Sequence, residues 1–185
     1  MSRNYKFHNP SAPYFVSFAT VFWIDVFTRE AYFTVLANSI TYCRKHKGME
    51  VYAYCFMPSH VHLVFRSAAE NPMGLLRDFK KYTAGKLLQT IREHPQESRR
   101  TWMMDMFQKA GRQNKHTTRY QFWQHNNKPI ELWSMKVIKQ KINYVHNNPV
   151  ASGFVTDPVD WKYSSARNFQ GDHNVMEIDE IGFMG

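Results

Sequence analysis

Two short segments of this chain carry side chains able to do chemistry: a pair of histidines that could hold a cation, and a tyrosine on the polar side of a helix. The first is Met57 to Val64, MPSHVHLV. In a strand, side chains at i and i+2 leave the same face, so His60 and His62 project side by side while Val61 points the other way. Two imidazoles placed like this can each give one nitrogen to a single divalent cation. Two surface histidines beside a turn fit the same letters. The second segment is Lys141 to Val150, KINYVHNNPV. Helical spacing gathers Met135, Ile138, Ile142 and Val145 into an apolar stripe, and Tyr144 falls outside it at about 100° per residue. Tyr144 instead shares its side of the helix with Gln140 at i−4 and Asn148 at i+4. A tyrosine there is either functional or an ordinary exposed residue, and spacing leaves both open.

The elements that must position these groups follow from periodicity. Residues 13–22 (PYFVSFATVF) are rich in β-branched and aromatic types and predict a first strand. Thr28 serves as an N-cap with Glu30 in the first turn, and Phe33, Leu36, Ala37, Ile40 and Cys43 recur at helical spacing up to Gly48. Two strands, 50–56 and 61–66, flank Met57-Pro58-Ser59, which reads as a hairpin link. Asn71-Pro72 opens a second helix whose buried side holds Leu75, Leu76, Phe79, Leu87, Leu88 and Ile91, ended by Pro95. Residues 95–118 show little periodicity and read as a basic loop or arm containing the apolar cluster Trp102, Met103, Met104 and Met106. Arg119 to Gln124 predicts a fourth strand. A third helix opens at Pro129 and Glu131 and stops before Pro149. The order β-α-β-β-α-β plus a terminal helix predicts an α+β, ferredoxin-like antiparallel sheet with helices on one face and a C-terminal helix carrying Tyr144. That order by itself says nothing of function.

The chain has 185 residues, 43% hydrophobic and 16% aromatic, which suits one globular domain with an acidic tail from about residue 171. No apolar run reaches the roughly 18 to 20 residues of a membrane helix. The N-terminus lacks the apolar run of a signal peptide. Cys43 and Cys55 lack CxxC partners and read as reduced, buried residues of a cytoplasmic protein. Net charge is +9, and residues 77–119 hold eleven Lys or Arg against four acids. Such asymmetry predicts one face on a polyanion. Asp78 to Lys86 interleaves basic and aromatic side chains, so Arg77, Lys80, Lys81 and Lys86 could follow a phosphate backbone while Tyr82 stacks on a base. A solvated helix face is the plain alternative. Arg112, Lys115 and Arg119 could close over DNA from the arm, and Trp123 and His125 could stack on a flipped base, although a tryptophan there is more often core.

MPSHVHLV together with NYVHNNPV resembles the single-tyrosine transposases whose His-hydrophobe-His motif gives them the name HUH. The branch it most resembles is the REP-associated tyrosine transposases, with Tyr144 to Val150 matching a Tyr-x-x-x-Asn-Pro-Val setting. Phe122-Trp123-Gln124-His125, Asp160-Trp161 and Ser164-Ser165 extend the likeness, which covers about residues 13–165. The resemblance implies that His60 and His62 hold Mg²⁺ or Mn²⁺, with Asn148 as third ligand where the broader insertion-sequence branch has glutamine. It implies that Tyr144 attacks a scissile phosphate and forms a 5′-phosphotyrosine, with Gln140 and Lys141 in support. Implied substrates are single-stranded DNA next to an imperfect hairpin, cut and rejoined without ATP. Relatives work as monomers or as homodimers with shared sites, and both arrangements stay open. Two other classes compete: a non-catalytic single-strand binder derived from a transposase, and a metal-dependent phosphodiesterase that uses water.

Overall fold

The computed structural model describes residues 6–114, 119–172 and 175–181. Strand β1 (Tyr14–Ala19) is followed by helix α1 (Glu30–Lys47), the hairpin β2 (Met49–Phe56) and β3 (His60–Ser67), helix α2 (Pro72–Glu93), helix α3 (Arg100–Arg112), the short strand β4 (Ile130–Glu131) and helix α4 (Met135–Ala151). All neighbouring strands are antiparallel, in the order β2-β3-β1-β4. That is the split β-α-β arrangement of the ferredoxin-like pattern.

The sheet separates two apolar layers. Alternation along β1 and β3 sends Val16, Phe18, Val61, Leu63 and Phe65 to one side, where α1, α2 and α3 cover them. It sends Phe15 and Val64 to the other side, where Ile138, Ile142 and Val145 of α4 pack. His60 and His62 share the parity of Val64 and therefore face α4. Among the described residues, no helix is long and apolar enough to cross a membrane. Cys43 and Cys55 are both free and buried.

Four expectations are corrected. Thr28 is not the cap of α1: Arg29 holds that position without a side-chain cap, and the Thr28 hydroxyl accepts a hydrogen bond from Arg99 at 2.9 Å. The segment read as an arm contains α3, whose buried face is Met103, Phe107, Ala110 and Gly111. Half of that stripe is alanine and glycine, so its helical period is faint in the letters. Gly111 is required there, because a Cβ would sit 2.6 Å from the Arg119 carbonyl oxygen. The fourth strand is not at 119–124. That segment forms no ladder with β1: it makes one isolated bridge, Thr20–Trp123, and a hydrogen bond from the Gln124 N–H to the Ala19 carbonyl at 2.8 Å, and regular pairing begins at Ile130 opposite Phe15. Finally, α4 runs through Pro149 to Ala151. Pro149 is buried in the helix's last turn, in line with Ile142 and Val145, and that packing offsets the one bond its missing N–H would have made to the Val145 carbonyl.

A buried ion network ties α3 to α1. The Glu97 carboxylate is fully enclosed. It accepts hydrogen bonds from Arg29 Nε at 3.1 Å, Arg99 Nε at 3.0 Å and Tyr32 Oη at 2.8 Å. Burial alone would raise its pKa, but those donors, Arg99 foremost, hold it down at about 2. Glu97→Gln leaves two guanidinium groups short of a counter-charge, and a loss of about 2–3 kcal/mol is expected in urea unfolding.

Candidate active site

His60 and His62 stand on β3 with ring centroids 4.8 Å apart and nearly perpendicular. The hairpin fixes them from both sides, since His62 lies between Ser17 of β1 and Cys55 of β2. The His62 ring stacks on Phe15 at 5.7 Å. Tyr144 reaches the same place from α4, with its ring 5.5 Å from His62 and 5.7 Å from Phe15, both edge-on. Its side chain is 48% exposed. Lys141, one turn earlier, sets its ammonium 5.3 Å from the Tyr144 ring and 5.1 Å from Phe15. Gln140 is exposed on the same helix. Because α4 continues past Pro149, Asn148 stays in helical register four residues beyond Tyr144, and its carboxamide lies against both imidazoles.

The donor atoms here lack partners. Both ring nitrogens of His62 and Oδ1 of Asn148 are buried with no hydrogen bond of sound geometry, although the Asn148 side chain is close enough to pull both imidazole pKa values back up against burial. His60 has one partner, the Ser59 hydroxyl at 3.3 Å from Nδ1. Buried polar atoms are almost always satisfied, so three orphans at one point call for a missing partner. Burial, then the neighbouring His60 charge, depresses the His62 pKa to about 3, and burial also lowers that of His60. Neutral imidazoles beside a carboxamide oxygen form an N₂O donor set with the protonation state that cation binding requires. Among the described residues no group of three or more His, Cys, Asp or Glu could do the same. The residues present fit a divalent cation.

A second network holds α4 in place. His146 Nε2 lies 2.8 Å from the Ser165 hydroxyl, which also receives the Tyr54 N–H of β2 at 3.0 Å. Burial lowers the His146 pKa to about 4. Imidazoles that bind protons more weakly folded than unfolded contribute full stability above their ordinary value near 6.5 and lose it as the pH falls toward 4. For His146 the whole window is worth about 3 kcal/mol. The urea midpoint is expected to fall from about pH 7 to pH 5, and by less in His146→Gln.

The other sequence-predicted contacts scatter. Trp123 is 5% exposed and belongs to the core, packed edge-on to Phe18 at 4.9 Å and donating Nε1–H to Thr83 at 3.1 Å. It is therefore no stacking surface. The Lys80 ammonium is also committed, to the Gln124 carbonyl at 2.8 Å and the Asn127 side chain. Arg77, Lys81, Tyr82 and Lys86 are exposed on α2, and Arg77 pairs with Asp78 at 2.8 Å. Helix α2 covers the sheet face opposite the histidines, so those side chains are not grouped with Tyr144. Arg112, Arg119 and His125 are exposed, and Lys115 lies outside the described residues.

A family model for transposases described as IS200-like matches residues 18–148, which span both the histidine pair and the tyrosine helix. The chain belongs to the IS200-like transposase family. The members of that family are tyrosine nucleases. A solved structure of a REP-associated tyrosine transposase bound to a REP hairpin is similar in fold, with a TM-score of 0.66 and 15% identity. The likeness covers 98% of this chain and 94% of that one. No curated protein matches the chain in sequence.

Sequence reasoning missed Phe22 and Trp23. Both are exposed, and Trp23 lies with its ring 5.5 Å from His60. Phe22 reads as the last residue of the strand at 13–22 and Trp23 follows just beyond it, and only their backbone angles set them apart.

Proposed function

We propose that this transposase cleaves and rejoins single-stranded DNA beside a hairpin, with Tyr144 as nucleophile and a 5′-phosphotyrosine as the covalent intermediate. The observation that carries the reading is the meeting of Tyr144 with two neutral histidines and an unpartnered carboxamide oxygen. His60, His62 and Asn148 would hold Mg²⁺ or Mn²⁺. When bound, such a cation polarises the scissile phosphate and offsets negative charge on its oxygens.

The chain's own residues do the rest. Phe15 and His62 hold the Tyr144 ring over the two central strands, with the residue half exposed to an incoming strand. The deprotonated Tyr144 oxygen forms a new bond to phosphorus as the bond to the 3′-oxygen breaks. The departing oxygen takes up a proton to become a free 3′-hydroxyl. One ester replaces another, so a later attack by a 3′-hydroxyl restores the strand without an external energy source. Lys141 adds a positive charge beside the attacking ring. The net charge of +9 favours a polyanionic partner. The hairpin substrate rests on the similar transposase solved with a REP hairpin.

The test is incubation of the purified chain with end-labelled single-stranded DNA carrying a hairpin, with Mg²⁺ or Mn²⁺, followed by a denaturing gel. A protein-DNA adduct that disappears on chelation is expected. Cleavage without an adduct would replace this reading with a water-using phosphodiesterase, and binding with neither would leave a non-catalytic DNA binder.

A further inference from the structure

Val21 to Trp23 form a single helical turn after β1 in which two consecutive aromatic residues adopt left-handed backbone angles. Phe22 has φ 55° and ψ 17°, and Trp23 has φ 54°. Side chains with a Cβ avoid this region, and bulky ones there are outliers. A turn needing such angles is served better by glycine or asparagine. The flanking residues hold the conformation. The buried Thr20 hydroxyl donates to the Ile24 carbonyl at 2.8 Å, with the Ser59 carbonyl at 3.1 Å, and the Val21 N–H donates to the Phe122 carbonyl at 2.8 Å. Val21 and Ile24 are buried, whereas Phe22 is 45% and Trp23 58% exposed. Folding therefore gains little from these two rings and bears their backbone strain. Strain of this kind gathers at ligand sites.

Their position says what the ligand is. Four rings follow one another across the site: Tyr144 to His62 at 5.5 Å, His62 to His60 at 4.8 Å, and His60 to Trp23 at 5.5 Å. Among the described residues, no ring contact joins Tyr144 directly to His60 or to Trp23. Trp23 thus marks the end of the row away from the nucleophile, with the histidine pair between. In an in-line displacement at phosphorus, the attacking and leaving oxygens lie on opposite sides. With the phosphate at the histidines and Tyr144 attacking from one side, the 3′-oxygen departs toward Trp23. An exposed indole at that position suits the flat face of an unstacked base, which any of the four bases can present.

From this we infer that Trp23, supported by Phe22, is the stacking platform for the base of the nucleotide that leaves with the free 3′-hydroxyl. The role of Phe22 is to widen the apolar surface beside the indole. The inference rests on the cleavage reading above for its polarity, but the platform itself can be measured by binding alone.

The experiment compares a labelled oligo(dA) strand with an abasic strand of equal length, each titrated with the full chain in the presence of EDTA. The wild type is expected to prefer oligo(dA), and Trp23→Ala to lose roughly 5- to 150-fold of that preference, the value of one base-aromatic stack. Trp23→Phe should keep most of it. Trp23→Gly should lose the preference while raising the urea midpoint, because glycine relieves the backbone strain. A structural indole would instead lower that midpoint. In a cleavable hairpin substrate, one abasic nucleotide on the 5′ side of the cut should reproduce the Trp23→Ala defect and add nothing to it. An unchanged preference in Trp23→Ala with adduct formation intact overturns the platform and leaves the cleavage reading standing. A Trp23-dependent preference in a chain that never forms an adduct supports the platform and removes the cleavage reading. A wild type that binds neither strand sinks both.

Discussion

Tyr144→Phe is expected to lower adduct formation by on the order of 10⁴-fold or more, to the background of the gel, while single-strand binding changes little. The effect is so large because, on the proposed mechanism, that oxygen is the atom bonded to phosphorus in the intermediate. Among the described residues, no hydrogen bond uses the Tyr144 hydroxyl, so its removal takes no partner away from the fold. The ring's edge contacts with Phe15 and His62 survive in phenylalanine. The unfolding free energy in urea should therefore change by no more than about 0.5 kcal/mol. Kinetic and structural effects separate cleanly in this variant. Cleavage that persists in Tyr144→Phe would transfer the attack to water, and a midpoint far below wild type would mean that the tyrosine is structural.

How far the sequence alone leads depends on which physical signal each residue leaves. His60 and His62 could be paired from spacing because a strand has a period of two, and β3 keeps that period without interruption. The pairing of Tyr144 with Asn148 was legible for the same kind of reason on a helix. What failed was the stop at Pro149, since local preference yields there to burial of Pro149 alongside Ile142 and Val145. Helix α3 was hidden because its buried stripe ends in Ala110 and Gly111, where close approach rather than apolar bulk is selected. Composition was also a poor guide to place. Arg77, Lys81 and Lys86 form a basic run in the letters, yet the sheet lies between them and the histidines. Lys80, in the middle of that run, is spent on holding the 124–127 segment. Phe22 and Trp23 left no signal at all, because strand residues and strained turn residues are spelled with the same aromatics.

His62→Leu is expected to make the metal-free protein more stable, by about 1–3 kcal/mol, and to remove its response to Mn²⁺. The stabilisation follows from the environment of the ring. Both nitrogens of His62 are buried without partners, and the neighbours that touch the ring include Phe15, stacked at 5.7 Å. A leucine of similar bulk would fill that space without any polar group to desolvate. On the cation reading, wild type bears the cost of the orphaned nitrogens until a cation takes up one of them. Binding to the folded state alone adds about 2.7 kcal/mol at a hundredfold excess over Kd. The two stability curves should therefore cross as Mn²⁺ is added, with the variant ahead in EDTA and the wild type gaining ground with each increment. Asn148→Leu, which removes the third orphaned atom, should move in the same direction. A His62→Leu protein that is less stable than wild type in EDTA would mean that the imidazole already has a partner, and the case for a cation there would lose its main support. Parallel curves would show that Mn²⁺ binds elsewhere on the chain. Crossing curves would show the usual exchange of stability for function, falling on one of the two residues that spacing alone paired.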